Sequence, residues 1–168
     1  MKTINYIEVA GQELIAELEA FAFSLWREHY IPFIGREQVE YMINLFQSRE
    51  AITRQIEQEG YLYYLFTDAD GLRAGYMGIV PQSSELFLSK LYIARSHQNK
   101  GYGRRAVELA QIKAREYGLS RITLTVNKQN TGSIDAYKKL GFVITDLICM
   151  DIGSGFFMDD FRMEKVVL

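Results

Sequence analysis

The stretch Gln98-Asn99-Lys100-Gly101-Tyr102-Gly103-Arg104 most restricts what this chain can fold into. Before it, Leu86 to Ile93 reads as a strand, followed by a polar loop from Ala94 to Lys100. After it, a helical pattern runs to about Tyr117, with Gly118 as its stop. A further strand is predicted at Arg121 to Val126. A strand, a glycine loop, a helix and a second strand in succession require a sheet with a helix packed on it.

The flanking sequence extends this unit. Thr3 to Glu8 reads as an opening strand, and Glu13 to His29 carries Leu14, Leu18, Phe21, Ala22 and Leu25 at helical spacing. Arg36 to Phe46 repeats that pattern, and Ile52 to Gln58 forms a third short helix stopped by Gly60. Tyr61 to Thr67 and Ala74 to Val80 are strand-like, joined by Asp68-Ala69-Asp70-Gly71. That turn has a mechanism: glycine tolerates positive φ, and aspartate bonds its own backbone. Beyond Asn130 a helix is predicted from Ser133 to Leu140, ended by Gly141. Strands at Val143 to Asp151 and Phe156 to Val167 flank Gly153-Ser154-Gly155. The short connections favour antiparallel pairing. The expected fold is α+β, a mixed, mostly antiparallel central sheet of about seven strands flanked by helices.

At 168 residues the chain reads as a single domain, 1–168, large enough to bury a core. Two prolines and no low-complexity tract argue against linkers and disorder. No run approaches the apolar length of a membrane span, and the first ten residues lack the apolar stretch of a signal peptide. The single Cys149 provides neither an internal disulfide nor a metal site, and it reads as a core residue of its strand. A cytoplasmic location, no metal and no membrane partner are expected.

The glycine loop suits an anion. Backbone N–H groups at a helix N-terminus can converge on one point, and glycines let the main chain approach it. Lys100, Arg104 and Arg105 add charge. A P-loop would need Gly-Lys-Ser/Thr at its end, which is missing. Gly101-Tyr102-Gly103-Arg104-Arg105-Ala106 satisfies the dinucleotide fingerprint, but the following strand, Arg121 to Val126, has no ribose-binding carboxylate. A third ligand is the pyrophosphate arm of coenzyme A.

Here the sequence resembles the GCN5-related N-acetyltransferase superfamily. Its central motif, Gln/Arg-x-x-Gly-x-Gly/Ala, appears as Gln98-x-x-Gly101-x-Gly103, preceded by Ser89-Lys90-Leu91-Tyr92-Ile93. Its second motif appears as Asn130-x-x-Ser133-x-x-x-Tyr137-x-x-x-Gly141-Phe142. The resemblance covers about Tyr61 to Leu168 well and the N-terminal helices loosely. It implies the acyl-CoA N-acyltransferase fold and transfer of acetyl from acetyl-CoA to a primary amine by direct attack in a ternary complex. In that scheme Tyr137 is the general acid on the leaving sulfur. Leu91, Tyr92 and Ile93 bind the cofactor, Leu91 and Ile93 through their backbones. Gln98, Asn99, Lys100, Gly101, Tyr102, Gly103 and Arg104 cradle the pyrophosphate.

Asn130 is assigned to the pantetheine arm, with helix capping as its other reading, Ser133 to cofactor binding, and Lys139 to the phosphate end, with a solvated helix face as its other reading. Glu85 and His29 are the candidate bases. The plainer readings are an exposed strand-end carboxylate and a structural histidine. His97, in the polar loop, reads as solvated.

Charge is uneven. Residues 90–140 hold 11 Lys/Arg and 3 Asp/Glu, leaving 8 (19 − 11) and 18 (21 − 3) elsewhere. The basic block coincides with the cofactor motifs. The acidic remainder, with Asp151, Asp159 and Asp160 on the last strands, suggests a small cationic acceptor such as a polyamine. The tail from Asp151 to Lys165 is also similar, more loosely, to bacterial spermidine/spermine-type acetyltransferases. Trp26, Tyr30, Phe33 and Tyr41 either line an apolar acceptor pocket or pack helix on sheet. Protein or peptide acetylation and a non-catalytic acyl-CoA sensor are the alternatives. No nucleic-acid partner is expected, and a homodimer is compatible with the reading.

Overall fold

The structure, a computed structural model, describes residues 4–167. Its elements are β1 (Asn5–Glu8), α1 (Gly11–Ile34), α2 (Arg36–Gln47), α3 (Arg49–Gln58), β2 (Leu62–Thr67), β3 (Arg73–Pro81) and β4 (Leu86–Ile93). A 3-10 turn (Arg95–His97) leads into α4 (Tyr102–Glu116), then β5 (Arg121–Asn127), α5 (Thr131–Lys139), β6 (Val143–Gly153) and β7 (Phe156–Val166). The seven strands form one sheet in the order β1-β2-β3-β4-β5-β7-β6. The β4–β5 ladder is parallel, and β1–β2, β2–β3, β5–β7 and β6–β7 are antiparallel. Each expected strand is present, though Thr3 lies outside the described residues.

Contacts group the chain into two units, 1–80 with 90–106, and 81–89 with 107–168. In the first, α1 buries Leu18, Ala22, Leu25 and Trp26, and α2 buries Val39, Met42 and Ile43. A chain of buried polar groups ties these helices to the strands. Trp26 Nε1 donates to Tyr76 Oη (2.5 Å), whose hydroxyl donates to Gln47 Oε1 (2.7 Å). Gln47 Nε2 donates to Tyr63 Oη (3.1 Å), and that hydroxyl donates to Gln55 Oε1 (2.6 Å). Burial pushes the Tyr63 and Tyr76 pKa values up, so both stay protonated donors. Trp26 is therefore part of the packing of helix on sheet.

Helix α1 runs one turn past the predicted end at His29, through Pro32 to Ile34. Proline holds a helical φ, but it removes the bond to the carbonyl four residues back and crowds that carbonyl. That carbonyl, on Glu28, faces the Arg95 guanidinium instead, at 3.4 Å. Gly35, at φ 81°, ends the helix.

In the second unit, Gly118 closes α4 as predicted. At φ 68° it donates to Arg115 O (3.0 Å) while Leu119 N reaches Ala114 O (2.8 Å). Strand β5 pairs with β7 along its whole length, and β7 with β6. Strand β6 lies at the sheet edge with most side chains exposed, including Val143, Leu147 and Met150. Cys149 shares that edge and is exposed. The expectation of a core cysteine is thus corrected: apolar neighbours in sequence do not reveal that the strand is an edge strand, paired only with β7 and left largely uncovered.

Candidate functional site

The first unit carries the glycine loop. Asn99 (φ 57°) and Gly101 (φ 90°) both lie in the left-handed region, two residues apart. Left-handed residues alternating in a loop before a helix are the kind of backbone from which anion-binding concavities are built. Arg105 N donates to Gly101 O (3.1 Å) at the start of α4. A Cβ built on Gly101 or Gly103 meets no heavy atom within 4 Å, so the space beside both is open. Arg104 and Arg105 are exposed.

Side chains hold this loop from behind. Gln98 Nε2 donates to Ile93 O (3.1 Å), and Lys100 Nζ donates to Ser96 O (2.6 Å). Tyr102 is buried edge-on against His97, with ring centroids 5.4 Å apart. Gln98, Lys100 and Tyr102, assigned to the cofactor from the motif, thus each also make a contact within the segment that shapes the loop. His97 was expected in solvent. It is buried, with Nε2 2.9 Å from Asp68 Oδ2 and Nδ1 2.8 Å from Ser96 Oγ.

At the end of β4, Ile93 O accepts a second hydrogen bond, from His29 Nε2 (3.1 Å). Because a carbonyl only accepts, Nε2 carries the proton and the neutral ring presents its lone pair at Nδ1. Burial lowers the His29 pKa, partly offset by the Ile93 bond, so the ring is neutral near pH 7. Tyr92 packs 5.7 Å from His29, and its hydroxyl lies 2.6 Å from that of Tyr30. Leu91, Tyr92 and Ile93 are all partly exposed. His29, Ile93 and Gln98 are thus brought together around one carbonyl.

The second unit carries the other motif. Asn130 caps α5, its Oδ1 accepting from Ser133 N (3.2 Å), so the capping reading of Asn130 is observed. Gly141, at φ 92°, closes the helix: its N–H bonds Lys138 O and Phe142 N bonds Tyr137 O, both at 3.0 Å. This closure brings the fully buried Phe142 ring against Tyr137 at 5.5 Å and 67°. The motif's Asn, Gly and Phe thereby set one half-buried tyrosine. Lys139 is exposed on the same helix.

Glu85 is not the exposed strand-end carboxylate of the plainer reading. Arg162 Nη2 binds both its oxygens (2.9 and 2.7 Å), and Thr123 Oγ1 donates to it at 2.8 Å. A carboxylate held this way is a strand cross-link rather than a ready base. Arg162 was missed from the sequence, as was the partner role of Asp68. The β4–β5 register spans only Leu86↔Ile122 and Phe87↔Thr123, in strands of eight and seven residues.

The acids of the last strands have local partners. Asp159 pairs with Lys128 (2.6 Å), and Asp151 accepts from Gly153 N (2.8 Å). Asp160 is buried, its carboxyl hydrogen-bonded to Thr125. Among the described residues no group of three His, Cys, Asp or Glu side chains could hold a metal ion. No described helix is long and apolar enough to cross a membrane.

A seven-stranded mixed sheet flanked by five helices, with a glycine loop between β4 and α4, defines an acyl-CoA N-acyltransferase fold. Residues 20–142 match the Acetyltransferase (GNAT) family, and the chain belongs to that family. It is similar to the streptothricin acetyltransferase of Streptomyces lavendulae, 30% identical over 86 residues, or 50% of this chain and 46% of that protein. The chain thus spans about half the length of that curated relative. The PaiA N-acetyltransferase of Thermoplasma acidophilum, solved with coenzyme A, superposes with a TM-score of 0.80 at 23% identity over 98% of this chain and 99% of that one. A variant of the spermidine N-acetyltransferase SpeG of Vibrio cholerae gives 0.66 at 17% identity, over 97% and 93% of the two chains.

Proposed function

We propose that this chain transfers the acetyl group of acetyl-CoA to a primary amine by direct attack in a ternary complex. The observation that carries the proposal is the loop Gln98–Arg104, where left-handed Asn99 and Gly101 open α4 beside empty space. Family membership and the coenzyme A bound by the PaiA relative support the same ligand. The loop backbone, with Arg104, would hold the pyrophosphate. Tyr137, set by Phe142, would protonate the departing coenzyme A sulfur as the amine nitrogen bonds to the acetyl carbon. The attacking nitrogen must lose a proton, and His29 Nδ1 has the right tautomer and a lowered pKa to accept it. Glu85, committed to Arg162 and Thr123, is the weaker base.

A small cationic amine is the proposed acceptor. The acidic balance outside residues 90–140 and the likeness to a spermidine acetyltransferase favour it. The local pairing of Asp151 and Asp159 reduces the weight of those two residues in the argument. The test is coenzyme A release from acetyl-CoA with spermidine, spermine, streptothricin, amino acids and short peptides. Acetylation of peptides alone would overturn the polyamine acceptor.

Tyr137→Phe is expected to lower kcat by about 100-fold, with coenzyme A affinity nearly unchanged. Full turnover in that variant would remove Tyr137 from the chemistry. In the same assay, kcat/KM should fall on the acid side as His29 protonates, and His29→Gln should abolish that limb.

A further inference from the structure

The segment that leads into the glycine loop is pinned by a residue from a different hairpin. Asp68, in the β2–β3 turn, uses Oδ1 to accept the N–H groups of Asp70 (3.0 Å) and Leu72 (2.9 Å). Its Oδ2 faces His97 Nε2 at 2.9 Å. Nε2 donates to that carboxylate and Nδ1 shares a hydrogen bond with the Ser96 hydroxyl at 2.8 Å, so both nitrogens are used. The pair is sheltered, with side-chain exposures of 11% for His97 and 18% for Asp68. The imidazole also abuts the buried ring of Tyr102, at 5.4 Å and 87°. His97, the residue just before the loop, therefore touches its neighbour Ser96, the first residue of α4, and a turn 29 positions earlier.

The Asp68 carboxyl is held below the ordinary aspartate range, first by His97 and then by the Leu72 N–H. It therefore stays an acceptor through neutral pH. Loops that present main-chain N–H groups to an anion bind well only when those groups are fixed before the ligand arrives. Asn99 and Gly101, the two left-handed residues, begin two positions after His97.

We propose that Asp68 and His97 form a clasp that pre-organises the Gln98–Arg104 cradle, making them positioning residues for the diphosphate end of acetyl-CoA. This rests on the cofactor reading above and assigns the β2–β3 hairpin turn a part in it. Neither residue touches the reacting thioester; the clasp acts through the loop backbone. Its signature is thus a loss confined to ligands that carry the diphosphate.

The test compares acetyl-CoA with the acetyl thioester of pantetheine, which lacks the nucleotide and diphosphate. His97→Phe keeps a buried ring against Tyr102 and removes both hydrogen bonds. Asp68→Ser keeps a turn acceptor but is too short to reach the imidazole, so it tests the same contact from the other side. His97→Gln retains an N–H donor and serves as the rescue. In the two breaking variants Kd for coenzyme A should rise by about tenfold, with kcat at saturating acetyl-CoA within about twofold of wild type. Activity on the pantetheine thioester should be unchanged, and His97→Gln should restore most of the affinity.

Wild-type Kd in both breaking variants overturns the clasp. So does an equal loss on both thioesters, which marks a general structural role. Wild-type protein that takes no coenzyme A overturns the functional reading and this inference together.

Discussion

Asp160 shows how one side chain's surroundings become a property of the molecule. It is 5% exposed, and burial raises its carboxyl from an ordinary 3.8 to about 6, against the opposing Thr125 hydrogen bond. The folded state therefore binds the proton more tightly than the unfolded chain. Stability from this group is complete below the unfolded value, near pH 4, and is lost as pH rises through about 6. Its full span is on the order of 3 kcal/mol. Asp160→Asn stays neutral throughout, so its stability relative to wild type should grow from pH 4 to pH 7 in urea unfolding. A constant difference across that range would refute the assignment. Residues of this kind were poorly legible in the sequence. Asp160 and Asp159 are adjacent acids there, and only strand alternation in the folded sheet buries one and leaves the other facing Lys128. His97 and Glu85 were misjudged for the same reason, since their partners lie 29 and 77 positions away.

At the scale of elements, legibility depended on whether the deciding signal was local. Helix α5 was readable because Asn130 begins it, Gly141 ends it, and the Tyr137–Phe142 contact belongs to that closure. The hairpin turn at Asp68–Gly71 was readable for the same reason, Asp68 bonding its own backbone and Gly71 taking φ 81°. The end of α1 was not. The apolar spacing ran out at His29, yet the helix continues through Pro32, and the bond that proline removes concerns the Glu28 carbonyl, which meets Arg95. The approach of β3 to β4 was equally hidden. A Cβ on Gly75 would lie 2.4 Å from the Tyr92 carbonyl oxygen and 2.8 Å from Ile93 Cδ1. The clash with backbone cannot be relieved by a rotamer change, so Gly75→Ala must push the strands apart. It should cost at least about 2 kcal/mol and weaken coenzyme A binding through the displaced Tyr92–Ile93 segment. An unchanged urea midpoint would show that the strands yield freely.

For the molecule as a whole, the uneven charge becomes a statement about linkage. The basic block over residues 90–140 covers the first motif and most of the second, so a polyanionic cofactor should bind the folded chain and not the unfolded one. Coenzyme A at a hundredfold excess over Kd should then stabilise by about 2.7 kcal/mol. For a chain of this size that is a rise in Tm of roughly 5–10 °C, smaller at high salt because the charges are screened. A Tm indifferent to coenzyme A would contradict the cofactor reading. By itself the sequence determined the order of strands and helices, the glycine loop and the capped helix bearing Tyr137. Each of these is set by residues within a few positions of one another, through backbone φ, caps and side-chain period. Only the tertiary structure decided that β5 pairs with β7 before β6, that Arg162 claims Glu85, that His29 and Gln98 share the Ile93 carbonyl, and that Asp68 holds His97. These are pairings between distant residues, fixed by which faces the sheet buries. The loop Gln98–Arg104 draws on both: its glycines are local, as are its bonds to Ile93 and Ser96, but the carboxylate on His97 comes from Asp68 in the β2–β3 turn.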